Sequence, residues 1–238
     1  MDAMIPAPVL HRYQTREALA EALATGVAAV LAGAIATRGS ATLAVSGGST
    51  PKRFFERLAE ADIDWRNVRV TLVDERWVPE TSERSNAAML RRHLLKNGAA
   101  QARFVPLYMD APTPEDALTD LGERFQRLAR PFDAAILGMG ADGHTASFFP
   151  DADNLAQAID MATNEPVVAI RAPGAGEPRV TLTLPLLVDA RLLALHIEGK
   201  EKLAVYETAL KDGAATDLPV RAVLRAPRTE PLNVFWAP

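Results

Sequence analysis

The chain has 238 residues with a formal net charge of −4 at pH 7, and 24% of its residues are charged and 48% hydrophobic. This length and balance are typical of a soluble globular protein, and we expect one domain over residues 1–238. A net negative charge gives no overall basic surface, which disfavours wholesale nucleic-acid binding. Because the sequence contains no cysteine, disulfides, thiolate metal sites and a cysteine nucleophile are excluded.

The sequence also gives no sign of membrane insertion or export. Its most apolar stretch, 18–36, is rich in alanine but contains Glu21 and two glycines. The N-terminal segment lacks a basic run followed by a hydrophobic core, so it does not resemble a secretory signal. We therefore expect a cytoplasmic protein without a membrane partner, and a monomer by default.

Apolar runs that predict strands alternate along the chain with longer stretches that predict helices. In chain order the predicted elements are helix 15–36, strand 41–45, helix 51–59, strand 68–73, helix 86–95, strand 104–108, helix 114–129, and strands 132–137, 166–170 and 192–197, followed by helix 201–210 and strand 234–236. This alternation predicts an α/β fold with a mainly parallel sheet and helices on both faces. Ligands of such sheets bind at the carboxyl ends of the strands, so the residues after each strand are the candidate site.

The first buried strand, 41–45, runs directly into Ser46-Gly47-Gly48-Ser49-Thr50, here named the SGGST loop. Its glycines allow close approach to the backbone, and its N–H groups and hydroxyls, with the start of the next helix, favour an anion. The loop lacks the Gly-Lys-Ser/Thr of a nucleotide P-loop and therefore suits a phosphate monoester better than ATP. The alternative is a tight strand-to-helix turn in which Thr50 caps the helix.

Three charged residues, Asp74-Glu75-Arg76, follow the strand 68–73. Arg76 can hold a phosphate or stabilise negative charge that develops in a transition state. Asp74 or Glu75 can act as a base. A surface ion pair at the end of a strand is the alternative interpretation.

The strand 132–137 leads into the glycine turn 138–144, which matches G-x-G-x-x-G. A dinucleotide-binding turn opens a long helix, but here Pro150 comes seven residues after Gly143, so we expect no nucleotide cofactor. His144 is more informative, because the nearby Asp142 carboxylate can fix the tautomer of its ring and raise its basicity. That arrangement suits a general base near neutral pH.

Two other kinds of catalytic site are not supported. Ser147 does not form a G-x-S-x-G nucleophile elbow. One histidine beside one aspartate is an incomplete ligand set, so we expect no metal. The remaining histidines, His11, His93 and His196, lie in polar surroundings or in an apolar strand and are interpreted as structural.

Basic residues in the second half of the chain can complete an anion site. Lys202 lies in the first turn of a helix after Gly199 and can extend over the sheet edge as a point charge. The alternative is that Lys200 and Lys202 are both solvated. Arg171 and Arg179 flank a loop rich in proline and glycine, and either can be a second phosphate ligand.

Four segments together, in this order over most of the chain, resemble the 6-phosphogluconolactonase family: SGGSTPKRFFERL, VTLVDERWVPETSERSNAAMLRRHLL, FDAAILGMGADGHTASFFP and RVTLTLPLLVDARLLALHIEGKEK. The resemblance implies a Rossmann-like fold shared with glucosamine-6-phosphate isomerase/deaminase. It also implies hydrolysis of 6-phospho-D-glucono-1,5-lactone, the second step of the pentose phosphate pathway, without a metal.

The resemblance further implies roles for individual residues. His144 would activate water for attack on the lactone carbonyl, and Asp142 would orient it. Arg76 would bind substrate or stabilise the oxyanion of the tetrahedral intermediate. The substrate phosphate would be held by Ser46, Gly47, Gly48, Ser49, Thr50 and Lys202, with help from Arg179.

Two rival functions share this constellation. An isomerase or deaminase of an amino-sugar phosphate would use Asp74 and His144 as its acid and base groups. Related isomerases, however, follow the motif Asp-Gly-His with Phe-Asn-Glu-Pro, whose glutamate supports the histidine, whereas 147–150 is Ser-Phe-Phe-Pro. A non-catalytic sugar-phosphate sensor could dispense with His144 and Asp142. Both comparisons favour the lactonase, with a small sugar-phosphate lactone as its partner.

Overall fold

Two β-sheets organise residues 5–238, the part of the chain that the computed structural model describes. The strands are β1 (Val9–Arg12), β2 (Ala41–Val45), β3 (Val68–Leu72), β4 (Asp74–Arg76), β5 (Arg103–Val105), β6 (Ala134–Leu137), β7 (Val167–Ile170), β8 (Arg179–Leu182), β9 (Leu192–Glu198) and β10 (Asn233–Ala237). Within those residues the larger sheet has seven strands in the order β1-β10-β9-β6-β2-β3-β5, and all its neighbours are parallel. The smaller sheet is antiparallel, with the order β4-β8-β7.

Helices connect most of these strands. They are α1 (Arg16–Arg38), α2 (Lys52–Leu58), α3 (Asn86–His93), α4 (Pro114–Gln126), α5 (Leu155–Ala158), α6 (Leu184–Val188), α7 (Lys200–Ala209) and α8 (Val220–Arg225). The longest, α1, begins at Thr15, whose hydroxyl accepts a hydrogen bond from the N–H of Ala18, and ends at Gly39 with φ +77°. Both ends follow ordinary capping chemistry, because Thr satisfies a free N–H and Gly adopts the left-handed conformation without strain.

The predicted α/β fold with its mainly parallel sheet is confirmed, and strand 41–45 has the predicted bounds. The antiparallel sheet was not predicted. Its strand β4 consists of Asp74, Glu75 and Arg76, which have poor strand propensity. They are extended because their backbone pairs with β8, where Asp74 lies opposite Thr181 and Arg76 opposite Arg179.

The strand order determines where a ligand can bind. Strand β2 lies between β6 and β3, and β9 lies on the other side of β6. The chain therefore leaves β2, β6 and β9 at the same edge of the parallel sheet. The reversal of strand order beside β2 opens a crevice at that edge, which is the usual ligand position in open α/β sheets.

Helix α1 is long and apolar enough, by length and composition, to cross a membrane. It instead packs against α2 and against strands of the parallel sheet. Leu19, Leu23 and Val27 on its inner face are fully buried. The core helix of a globular protein satisfies the same length and composition criteria, so α1 is weak evidence for a membrane.

Candidate active site

A cavity of about 210 Å³ lies at the carboxyl ends of β2, β6 and β9. It brings together nearly all the residues that the sequence indicated, although they come from segments far apart in the chain. Of the candidate residues predicted from the sequence, those that line the cavity are Ser46, Gly47, Gly48, Ser49, Thr50, Arg76, His144, Arg179 and Lys202. Asp142 is in contact with His144 at the margin of this cavity.

The SGGST loop forms one wall, and its glycines are required by the geometry. A Cβ atom on Gly47 would lie 2.0 Å from the side-chain oxygen of Asn86, and Gly48 has φ +92°. The Ser46 hydroxyl accepts a hydrogen bond of 2.9 Å from the N–H of Gly138, so this loop is tied to the turn after β6. At its far end the Thr50 hydroxyl lies 3.4 Å from Nζ of Lys202.

Lys202 reaches this loop from the first turn of α7. The turn begins at Gly199, whose φ of +91° favours glycine. Burial lowers the pKa of the Lys202 ammonium from its ordinary value, and the carboxylates of Glu198 and Glu201 act in the opposite direction. A partly desolvated ammonium beside hydroxyl and N–H donors is well suited to a bound anion.

His144 and Asp142 form a hydrogen-bonded pair in the turn after β6. Nδ1 of His144 lies 2.6 Å from Oδ1 of Asp142, which also accepts a 3.2 Å hydrogen bond from the N–H of His144. The hydrogen bond from His144 holds the pKa of Asp142 below its ordinary value, so this carboxyl is ionised at neutral pH. An ionised Asp142 can only accept in this hydrogen bond, which favours the tautomer with the proton on Nδ1 and leaves Nε2 to accept a proton.

Two features fix the orientation of the His144 ring. One face stacks on Phe149, with ring centroids 4.2 Å apart and planes inclined by 27°. Gly140 lies close to the ring, and a Cβ at that position would be 2.3 Å from its Nδ1. The ring is therefore confined by packing as well as by its hydrogen bond to Asp142.

Arg179 lies on β8, is almost fully buried and lines the same cavity. Its guanidinium is 5.0 Å from the ring centroid of Phe149, and Nη1 is 3.4 Å from Oδ2 of Asp74. That oxygen of Asp74 also accepts a 2.7 Å hydrogen bond from the hydroxyl of Ser147. The other arginine considered, Arg171, pairs with Glu115 and does not line the cavity.

Arg76 lies opposite Arg179 in the β4–β8 register. Its Nη1 donates to the backbone oxygen of Arg84. The Nε atoms of Arg76 and Arg179 are both buried and have no hydrogen-bond partner among residues 5–238. The two adjacent guanidinium groups therefore retain donors for a negatively charged ligand.

Glu75 does not line this cavity, and its carboxyl instead binds backbone N–H groups next to it. Its fully buried carboxyl accepts hydrogen bonds of 2.8 Å from the N–H of Arg76, 2.7 Å from that of Asn86 and 2.8 Å from that of Ala87. Burial raises the pKa of Glu75 to about 7, and these N–H donors act in the opposite direction. From the sequence, Glu75 was one of two candidate bases. In the structure its carboxyl joins β4 to the start of α3 through these hydrogen bonds.

The described residues contain no group of three or more His, Cys, Asp or Glu side chains arranged to hold a metal ion. The groups that meet at the cavity are instead one histidine–carboxylate pair, two arginines, a lysine and a loop of hydroxyl and N–H donors. Together they can bind an anion at one end and remove a proton at the other.

Comparison with known proteins identifies the family. The family model described as glucosamine-6-phosphate isomerases/6-phosphogluconolactonase matches residues 14–236. The chain belongs to this family. It is 51% identical over 229 residues to the 6-phosphogluconolactonase of Rhizobium meliloti, covering 96% of this chain and 98% of that one.

Solved structures of the family agree with the fold. The crystal structure of a 6-phosphogluconolactonase from Shewanella baltica has a TM-score of 0.94 and 40% identity, with 99% of this chain and 100% of that chain covered. A monomeric glucosamine-6-phosphate deaminase has a TM-score of 0.77 at 16% identity and shows the shared fold alone, with 96% of this chain and 97% of that chain covered. The predicted family resemblance is confirmed.

Several residues of the site were not found from the sequence. Asn86 packs over Gly47, Phe149 supports His144, and Ser147 holds Asp74. His196, interpreted as structural, is 2% exposed and lines the cavity. A polar residue in an otherwise apolar strand, just before the loop that carries Lys202, was the one available signal for His196.

Proposed function

We propose that this protein hydrolyses 6-phospho-D-glucono-1,5-lactone to 6-phospho-D-gluconate. The observation that carries the proposal is the His144–Asp142 pair, because His144 lines the same cavity as the SGGST loop and Lys202. The names of the relatives support the same substrate class. We further propose that the protein acts in the cytoplasm, in the oxidative pentose phosphate pathway, as a monomer with neither nucleic-acid nor membrane partner.

The phosphate end of the substrate is assigned to the SGGST loop and Lys202. Backbone N–H groups, hydroxyls and an ammonium are all hydrogen-bond donors, and the Thr50 hydroxyl and the Lys202 ammonium lie 3.4 Å apart. Binding energy gained at this remote end aligns the lactone carbonyl with the base. No metal or organic cofactor takes part in the proposed reaction.

The reaction is assigned to His144. Nε2 takes a proton from water as the water oxygen bonds to the carbonyl carbon and the carbonyl electron pair moves onto its oxygen. The tetrahedral intermediate then collapses, the bond from this carbon to the ring oxygen breaks, and the leaving alkoxide receives the proton from Nε2. Asp142 keeps the Nδ1 proton in place during both transfers.

The negative charge of the substrate and intermediate is assigned to Arg76 and Arg179. Their register pairing brings two positive groups together at the cavity, each with an unpartnered Nε among the described residues. A developing oxyanion relieves the repulsion between them, whereas the neutral lactone carbonyl does so less. Such interactions favour the transition state over the ground state.

The geometry disfavours the amino-sugar isomerase as an alternative. That chemistry needs Asp74 as a free base, but the Asp74 carboxyl is 5% exposed, accepts from Ser147 and lies beside Arg179. The position of the acid in the related isomerases is taken here by the segment Ser147–Pro150, which supplies the Phe149 ring instead. These contacts support hydrolysis over ring opening and amine transfer.

The test is hydrolysis of freshly generated 6-phosphogluconolactone by the wild type and by His144→Ala, measured against the spontaneous rate. We expect acceleration by the wild type and a loss of about 10²–10⁴-fold in kcat in the variant, because a general base contributes that much. A folded wild type that gives no acceleration, but converts glucosamine 6-phosphate, would establish the rival activity. If His144→Ala turns over the lactone at the wild-type rate, His144 is not the general base.

A further inference from the structure

His196 is buried at the cavity, but the proposed mechanism gives it no role. It lies on β9 and is 2% exposed. Neither ring nitrogen has a hydrogen-bond partner among residues 5–238. A buried imidazole without partners loses its hydrogen bonds to water and gains none in return, which makes its placement costly unless a ligand completes it.

The surroundings of His196 are polar on one side and aromatic on another. Nε2 lies 3.3 Å from Oε1 of Glu198, and the other carboxylate oxygen of Glu198 lies 3.4 Å from Nε of Arg16 on α1. Phe54 on α2 presents its ring edge-on, with centroids 6.4 Å apart. Glu198 thus faces Nε2 and leaves Nδ1 as the nitrogen without a charged neighbour.

Glu198 links this histidine to the basic residues around it. Burial alone would raise the pKa of Glu198, but the adjacent His196 ring and the charges of Arg16 and Arg53 hold it below its ordinary value. Glu198 also acts electrostatically on Lys202. The charged groups that face His196 and Glu198 from the neighbouring helices are therefore Arg16 on α1, Arg53 on α2 and Lys202 on α7.

His196 lines the same cavity as the residues assigned to the phosphate end. The same cavity is lined by Thr50 and Lys202, whose side chains approach to 3.4 Å. His196 is the last cavity-lining residue of β9, and Gly199 turns the chain from that strand into the helix that carries Lys202. An unpartnered ring nitrogen on this strand is therefore a candidate to meet an anion that the SGGST loop and Lys202 also hold.

We propose that His196 is a further phosphate-binding residue, which Glu198 orients and which completes the subsite formed by the SGGST loop and Lys202. With the Glu198 carboxylate facing Nε2, Nδ1 is the ring nitrogen that would donate a hydrogen bond to a phosphate oxygen. This inference rests on the proposed function, because it deepens the role of the same cavity. It makes Glu198 a positioning residue, since it acts through His196.

The experiment compares wild type, His196→Gln and the matched control His93→Gln. His93 also pairs with a glutamate, at 2.8 Å from Glu56, but lies outside the cavity. Two quantities are measured: the Kd of inorganic phosphate by calorimetry at pH 7, and KM and kcat on 6-phosphogluconolactone. We expect Kd and KM to rise about 10–100-fold in His196→Gln with kcat within about twofold, because one charge-assisted hydrogen bond is lost.

The control and a second variant keep the inference falsifiable. His93→Gln retains wild-type Kd, and Glu198→Gln weakens phosphate binding in the same direction but by less. Should His196→Gln fail to fold, the phosphate Kd of Glu198→Gln tests the inference in its place. Unchanged phosphate affinity in the folded variants overturns the inference, and so does a fall in kcat at constant KM. Failure of the lactonase assignment is separate, because the wild type would then lack turnover while its phosphate affinity still reports on His196.

Discussion

Gly140 provides the sharpest test of how His144, the proposed catalytic base, is held. A Cβ atom at this position would lie 2.3 Å from two atoms of the His144 ring and 2.5 Å from Oδ1 of Asp142. Ordinary contacts of a methyl group are about 3.4–4 Å, so Gly140→Ala requires the ring to move by roughly 1 Å. Because Phe149 stacks on the ring, that movement separates His144 from Asp142 or from Phe149.

The expected consequence is a loss of alignment with little loss of stability. A displacement of about 1 Å at a reacting group can cost about 100-fold in rate, so we expect Gly140→Ala to lower kcat on 6-phosphogluconolactone by about that factor. The turnover assay is run beside thermal unfolding of the same sample. Gly174→Ala is the matched control, because its Cβ would meet Oδ2 of the same Asp142 at 3.9 Å, an ordinary contact.

The pair of variants has a result that would refute this reasoning. If folded Gly140→Ala turns over at the wild-type rate, the position of the His144 ring does not limit the reaction. If Gly174→Ala loses as much activity as Gly140→Ala, any methyl group near Asp142 lowers activity. The overlap of the new Cβ at position 140 with the His144 ring is then not the cause of the loss.

Three further predictions concern other parts of the site. Lys202→Met should raise KM by about 10–100-fold at nearly constant kcat, because it removes a charged phosphate ligand, and steady-state kinetics with an unaltered KM would exclude that role. Phe149→Leu should lower kcat by up to about tenfold, since the stacked support of His144 is lost, and equal kcat values for folded variant and wild type would count against it. The folded-state pKa of Glu75, about 7, lies above its ordinary value of 4.5, so the stability it contributes is complete below about pH 4.5 and is lost as the pH rises through 7. Relative to Glu75→Gln, the wild type should therefore lose up to about 3 kcal/mol of unfolding free energy between pH 5 and 8, and parallel urea-unfolding profiles would contradict this.

The parts of the molecule that follow local rules could be predicted from the sequence. Strand 41–45 is a short apolar run that ends at two glycines, and both His144 and Lys202 directly follow predicted strands or their turns. Each of these signals lies within a few residues of the side chain that it identifies. Local sequence is therefore enough to identify these candidate residues, although it does not give the distances between them.

The remaining features depend on contacts between distant residues. The pairing of Asp74–Arg76 with β8 joins segments about 100 residues apart, and it overrides the low strand propensity of Asp and Glu. Phe149 has the sequence character of a core residue, and only its 4.2 Å stacking on His144 gives it a second role. His196 has the same ambiguity, because burial in a strand is compatible with both core packing and ligand binding.

The two sheets contribute different residues to the site, and the antiparallel sheet contributes its two arginines. The parallel sheet supplies the SGGST loop, the turn that carries His144 and the start of α7, all at one edge. None of these places a guanidinium against the wall that holds His144. The β4–β8 ladder does so by setting Arg76 opposite Arg179. The Asp74 carboxylate beside Arg179 offsets part of the repulsion between the two like charges, and an anion in the cavity would offset more of it. Under the proposed function, the tetrahedral intermediate of the phosphorylated lactone would carry negative charge at both ends of this site and would meet positive groups at each.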